Sequence, residues 1–228
     1  MNQTSINIIA IAVFTTTIIS LLGPLFHLPP AIPAVAMFAF LGLATLDNFT
    51  WQGRVSNLFL DLLATANPKY RERILYHEAA HFLVAYLYGI PVTNYALNAW
   101  EALKQGQSAR GGIYFDDNCL TEELQKGIIS AQMLDRYCTF WMAGIAAEIL
   151  IYGNAEGGAE DRQALRTVLS QLKLPVAFDV KERFGILQAK NVIETNRSAY
   201  NALVEAMFKR LSVEECCQAI NRHPLTYE

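Results

Sequence analysis

The chain has 228 residues and a formal net charge of −3, which predicts one globular domain with additional segments rather than two full domains. Because the net charge is small and negative, the composition excludes a general electrostatic affinity for nucleic acid. The charge is unevenly placed, since residues 1–46 contain no Lys, Arg, Asp or Glu and all 18 basic residues lie at or beyond Arg54.

The uncharged segment contains two apolar runs. Residues 6–28 are long enough to cross a hydrocarbon core of about 30 Å as a helix, whereas residues 31–46 form either a second, tight span or a re-entrant segment. Three helix-breaking prolines lie between the runs, as in a hairpin tip: Pro24, Pro29 and Pro30. We therefore predict a membrane anchor over residues 1–50, with one or two transmembrane helices. The alternatives are a signal peptide, which lacks its basic first region here, and a buried soluble hairpin.

Basic residues and cysteines indicate the compartment of the remaining chain. Basic side chains follow shortly after the apolar region: Arg54, Lys69, Arg71 and Arg73. Since basic residues near a span stay on the cytoplasmic side, we expect the later residues to face the cytoplasm or its organellar equivalent. A reducing compartment also fits the four cysteines, which lack the Cys-x-x-Cys spacing of a zinc knuckle: Cys119, Cys138, Cys216 and Cys217.

The part of the chain after the anchor is predicted to be mainly α, with a small β element. Residues 51–66 are predicted to form an amphipathic linker helix, and residues 67–228 the main domain. Within that domain, Asn67–Pro68 indicates the start of a helix that ends near Tyr88. Two short strands flank a polar loop, at residues 92–97 and 112–115. Further helices are predicted at residues 134–152, 159–172 and 192–210, and a last one begins at a capping box of Ser212 and Glu215.

The first of these helices in the main domain carries a His-Glu-x-x-His motif, formed by His77, Glu78 and His81. Positions four apart share one helix face, so the two imidazoles can bind one ion. Glu78 points beside that ion, as suits a carboxylate that activates a water molecule. Imidazole nitrogens and a carboxylate favour zinc, with a water in the remaining position.

A purely structural interpretation is that both histidines are core residues and Glu78 faces solvent. The chain has only four histidines, however, and two of them have metal-binding spacing within a stretch rich in Ala, Leu, Phe and Tyr. Burial of two imidazoles and a carboxylate costs free energy unless a partner binds them. The zinc hypothesis supplies that partner.

A catalytic zinc site needs a third protein ligand. The downstream candidates are His223, Glu148, Glu156, Glu160 and Asp161. His223 lies near the end of the chain, where fraying disfavours a ligand, and Glu148 could instead hold an imidazole N–H. Glu160 and Asp161 begin a helix, where the dipole favours a carboxylate. They could equally be ordinary acids of a first helical turn, so the residues alone leave the choice open.

Several separate stretches together resemble the peptidase module of the FtsH family, membrane-anchored zinc proteases with an attached AAA ATPase. They occur in the family's order and span about residues 71–172. The stretches are the histidine helix YHEAAHFLVAYLYG, with Ala80 where the family has glycine; the strand GGIYF, like the Gly-Gly-Tyr strand that borders the substrate cleft; the helix MAGIAAEILIYG; and GGAEDRQAL.

The resemblance implies zinc ligands at His77, His81 and Asp161, with Glu78 as the catalytic base. The family has two residues between the alanine and the aspartate of the last stretch, whereas here Glu160 alone intervenes. That departure leaves Glu160 as the alternative third ligand.

The family places an ATPase between its membrane spans and its peptidase, but residues 46–67 are too short to hold one. No G-x-x-x-x-G-K-[ST] phosphate loop occurs in this sequence. In this respect the chain resembles the family's stand-alone relatives without an ATPase, which are found in phototrophs. The resemblance implies a zinc metalloendopeptidase in the plasma or thylakoid membrane, with any ATP dependence supplied by a partner. Its expected partners are lipid, unfolded or membrane-protein substrates, and further copies or FtsH-type proteases in an oligomer. The alternative is an inactive FtsH-like subunit that acts as a scaffold; an intramembrane protease is disfavoured because the motif lies well beyond the apolar region.

Overall fold

The computed structural model describes residues 3–27, 29, 31–50, 54–107, 111–127, 129–172 and 177–226. Within these ranges the chain is mainly helical, with a single two-stranded sheet, which confirms the predicted mainly α class with a small β element. The chain forms two compact units. The first comprises residues 1–68 and 98–111, and the second comprises residues 69–97 and 112–228.

The first unit contains four α-helices in the part of it that the structure describes. They are α1 (Gln3–Leu22), α2 (Ala31–Thr50), α3 (Arg54–Thr65) and α5 (Ala99–Lys104). The predicted break between the two apolar runs is present, as a short 3-10 turn over Gly23–Phe26. Helix α5 was not predicted, and it begins where Asn98 caps the backbone N–H of Glu101. Asp61 of α3 accepts a hydrogen bond from the Ala99 backbone N–H at 2.7 Å.

The predicted transmembrane helices are not supported. Among the residues that the structure describes, no helix combines the length and the apolar character needed to cross a bilayer.

The second unit carries the predicted histidine helix and the predicted strands. Helix α4 covers Pro68–Leu87, close to the predicted bounds. Strand β1 (Val92–Ala96) pairs antiparallel with β2 (Gly112–Phe115), with an irregular register between Val92 and Asn94. The remaining helices are α6 (Asn118–Lys126), α7 (Ala131–Tyr152), α8 (Ala159–Gln171), α9 (Phe178–Thr195), α10 (Arg197–Phe208) and α11 (Val213–Asn221).

The prediction of one continuous helix over residues 192–210 is wrong. Helix α9 starts earlier, at Phe178, and the chain breaks at Asn196 before α10 begins. The Asn196 side chain is buried and hydrogen-bonds to the backbone of Val192 and, through both of its polar atoms, to Thr226. An asparagine side chain competes for backbone hydrogen bonds, and Asn196 accordingly lies at the end of α9. Its bonds to Thr226 also hold the last described residues against this helix end. The capping box of Ser212 and Glu215 is present as predicted.

Helix α7 lies at the centre of the second unit. Ser130 caps its first turn by accepting from the Met133 N–H, and Gly153 ends it with a φ of 78°. Every residue from Tyr137 to Glu148 is buried, so α7 is covered on all sides by other elements. Helix α9 packs closely against it at Gly185, where an added Cβ would lie 2.5 Å from the carbonyl oxygen of Cys138.

Candidate metal centre

The candidate site lies between α4 and α7, and each helix contributes side chains spaced four residues apart. Such residues lie on one helix face. On α4 these residues are Arg73, His77 and His81; on α7 they are Phe140, Gly144 and Glu148. Arg73 contacts Glu148 and His81 contacts Phe140, so the two helices run in opposite chain directions along this face.

Hydrogen bonds from α7 fix the orientation of both imidazoles. His77 donates from Nδ1 to Glu148 Oε1 at 2.7 Å, and His81 donates from Nδ1 to the carbonyl oxygen of Phe140 at 2.7 Å. Both rings are buried. Because each Nδ1 donates its proton in a hydrogen bond, Nε2 is the ring nitrogen left to bind a metal, for which it must give up any proton of its own.

Asp161 lies opposite the two Nε2 atoms. Its Oδ2 is 3.2 Å from His77 Nε2, and its Oδ1 is 3.5 Å from His81 Nε2. Potential ligand atoms of the three residues all lie within 4.8 Å of one another. Asp161 is in the first turn of α8, which follows Gly158 with its positive φ of 85°. An added Cβ at Gly158 would lie 2.2 Å from Ile145, so this turn approaches α7 too closely for a side chain.

The five candidates for the third ligand lie in different places. Asp161 joins the two histidines, whereas the neighbouring Glu160 is exposed and outside the group. Glu156 is also exposed and pairs with Arg73 at 3.1 Å. Glu148 accepts from Nδ1 of His77, on the side of the ring away from Asp161, so it has the alternative role of holding an imidazole N–H. His223 lies outside the cluster, in the turn after α11.

Glu78 lies beside the three potential ligands. It is half-buried and adjacent to His77, and it does not belong to the group whose donor atoms converge. Burial raises the pKa of its carboxyl, while the positive charges of His77 and His81 act in the opposite direction. A carboxyl with a raised pKa, next to the convergence point but outside it, suits a group that accepts a proton from water.

The electrostatics of the cluster favour a positive charge at the convergence point. Burial disfavours the charged form of His77, but the Asp161 and Glu148 carboxylates outweigh it and raise the pKa of His77 to about 10. Burial opposes ionisation of Glu148, yet His77, the Glu156 N–H and Arg73 lower its pKa to about 2. Burial likewise opposes ionisation of Asp161, and His81 and His77 hold its pKa well below its usual range. Two imidazoles and a carboxylate in such surroundings fit a zinc ion with one open position.

Two glycines allow the close packing of this cluster. An added Cβ at Gly144 would lie 2.2 Å from His77 Nε2, so any other residue there would displace the imidazole. At Gly157 an added Cβ would lie 2.6 Å from Glu148 Oε1. Sequence reasoning assigned neither glycine a role. The available signal was the spacing of Gly144, which lies one turn before Glu148 on the same helix.

Arg73 was also missed as a site residue. The sequence analysis considered it only as a basic residue that indicates on which side of the membrane the later residues lie. Its signal was its position four residues before His77, which places both on one face of α4. The carbonyl of Phe140 could not have been identified in advance, because any backbone carbonyl can accept such a bond.

No family model matches this chain. Over 121 residues it is 33% identical to the protein named ATP-dependent zinc metalloprotease FtsH 1 of Methylacidiphilum infernorum (isolate V4). The match covers 53% of this chain but only 18% of the length of that relative. The chain is thus distantly similar to an FtsH zinc metalloprotease, in agreement with the resemblance of its motifs.

Proposed function

We propose that this chain is a zinc metalloendopeptidase that hydrolyses peptide bonds in unfolded or membrane-derived protein segments. The observation that carries the proposal is the convergence of His77 Nε2, His81 Nε2 and the Asp161 carboxylate, with Glu78 beside them. The distant similarity to an FtsH zinc metalloprotease supports the same chemistry.

A zinc ion in this site would supply Lewis-acid chemistry, acidifying a water molecule and polarising the scissile carbonyl. Glu78 takes a proton from the attacking water, whose oxygen forms the new bond to the carbonyl carbon. Glu78 then returns the proton to the nitrogen as the carbon–nitrogen bond breaks. The overall reaction consumes one water and releases a carboxylic acid and an amine, with no other reactant.

The residues of α7 keep the ligands in place during this reaction. Glu148 and the carbonyl of Phe140 hold the two Nδ1 atoms, so neither ring can rotate or change its tautomer freely. Strand β2 lies near the histidines, because the centre of the Phe115 ring is 4.7 Å from the ring centre of Phe140, whose carbonyl accepts from His81. We infer that a substrate peptide passes beside β2, in line with the resemblance of this strand to the one that borders the FtsH cleft.

Zinc content tests the proposal directly. Purified after zinc supplementation, the full chain is expected to hold about one zinc per molecule, and a His77→Ala variant much less. Elemental analysis of both proteins gives the comparison, with the Lys126→Ala variant as a control because the Lys126 side chain is exposed on α6. Absence of stoichiometric metal from the unaltered chain would refute the proposal. Stoichiometric zinc without cleavage of any unfolded protein would instead favour the inactive scaffold.

Membrane association remains a prediction from the charge-free residues 1–46. The first unit exposes large apolar side chains, which are typical of surfaces that contact lipid or protein: Phe14, Leu21, Leu25, Val35 and Phe38. We expect the full chain to stay in the membrane fraction after an alkaline carbonate wash. In sealed vesicles that keep the orientation of the cell membrane, the second unit is expected to lie inside, so that protease added outside does not cleave it. Release of the chain into the supernatant would contradict membrane association.

A further inference from the structure

The Arg73 guanidinium contacts two elements that support the metal centre, helix α7 and the turn that follows it. Its Nε is 2.5 Å from Glu148 Oε2, and its Nη1 is 3.1 Å from Glu156 Oε1. Its Nη2 donates to the Asn154 carbonyl at 2.5 Å and to the Asn154 side chain at 3.1 Å. The guanidinium carbon also lies 4.7 Å from the centre of the Tyr152 ring. All three nitrogens of the fork therefore have partners on α7 or on the turn that follows it.

These contacts connect Arg73 with two of the three donor residues. Glu148 uses Oε2 to accept from Arg73 and Oε1 to accept from His77, so one carboxylate joins the guanidinium to the first imidazole. The same carboxylate accepts the backbone N–H of Glu156 at 2.8 Å. This turn continues through Gly157 and Gly158 into the first turn of α8, which carries Asp161.

We propose that Arg73 is a positioning residue for the metal centre, acting through Glu148 on the His77 ring and through the 154–157 turn on Asp161. This inference rests on the proposed zinc function. A planar guanidinium presents its donors in a fixed fork, so it sets the angles of several acceptors at once, which a lysine ammonium does not. A buried ion pair by itself gives little net stability, because desolvation offsets the Coulomb attraction. Positioning of the ligands is the benefit that the geometry points to.

The test measures the zinc dissociation constant of the full chain by competition with a chromophoric chelator. Loss of partners that orient metal ligands typically weakens binding by about 10–100-fold, and we expect that range for Arg73→Gln. The matched control is Lys181→Gln, which removes an ion pair with Asp135 on the same helix α7 but away from the site. We expect the control to change zinc affinity by no more than about twofold.

A double-mutant cycle distinguishes positioning through Glu148 from general destabilisation. Residues that act in one network are not additive, so in the Glu148→Gln background the Arg73→Gln change is expected to cost clearly less than in the unaltered chain, leaving only the part that acts through the 154–157 turn. Effects that multiply in the double variant would overturn the proposal. An equal loss of affinity in the Lys181→Gln control would overturn it as well. If Arg73→Gln does not fold, Arg73→Lys replaces it, with weaker zinc binding still expected because the fork is lost.

A spectroscopic measurement adds a readout that does not depend on catalysis. With Co²⁺ in place of zinc, the visible absorption bands report the coordination geometry, and we expect them to change in Arg73→Gln but not in Lys181→Gln. Unaltered bands together with unaltered zinc affinity would refute the role of Arg73 while leaving the proposed function intact. An unaltered chain that binds neither metal would refute the proposed function itself.

Discussion

Replacement of Glu78 by Gln is expected to lower the rate of peptide hydrolysis by about 10²–10⁴-fold, the range typical for loss of a general base. Glutamine has nearly the same shape as glutamate but cannot accept a proton from water. Since Glu78 lies beside the three donor atoms rather than among them, the variant should keep its zinc and its fold. The expected result is thus an inactive protein with unchanged metal content.

The measurement pairs elemental analysis with the cleavage rate of an unfolded protein substrate. Glu72→Gln is the matched control, because it makes the same chemical change on the same helix at an exposed position. We expect this control to retain both zinc and activity. Loss of zinc from the Glu78 variant would make Glu78 a ligand, and full activity of that variant would exclude it as the base.

Much of this site was predictable from local spacing. Residues four apart on a helix share a face whatever else the chain does, so the pairing of His77 with His81 followed from the sequence once α4 was recognised. The start of α4 and the end of α7 followed in the same way from Pro68 and Gly153, which start and end helices for steric reasons. The start of α7 did not, since it was predicted at residue 134 and lies at Ala131. Such features depend on a few neighbouring residues.

Features that depend on distant contacts were not predictable. The hydrogen bonds between Asn196, at the end of α9, and Thr226 join residues 30 positions apart in the chain. The role of Arg73 depends on Glu148, Asn154 and Glu156, which are brought to it only by the packing of α4 against α7. The choice between Glu160 and Asp161 depends on how α8 is rotated about its axis. Adjacent residues on a helix point about 100° apart, so the rotation of α8 about its axis decides which carboxylate faces the histidines.

That choice yields the last prediction, which compares Asp161→Asn with Glu160→Gln. Asparagine lacks the negative charge, so its amide oxygen is a weaker zinc ligand than the Asp161 carboxylate, and its amide nitrogen offers the metal no lone pair. Residues that only orient ligands change zinc affinity by up to about 100-fold. Because Asp161 is proposed to be a ligand itself, we expect Asp161→Asn to weaken zinc binding by more than that, and the variant to lose activity as a result. Glu160→Gln, a matched change one residue away at an exposed position, should retain zinc and activity. The reverse pattern would move the third ligand to Glu160, as the spacing of the family motif allows. Unchanged zinc affinity in both variants would exclude both acids as zinc ligands.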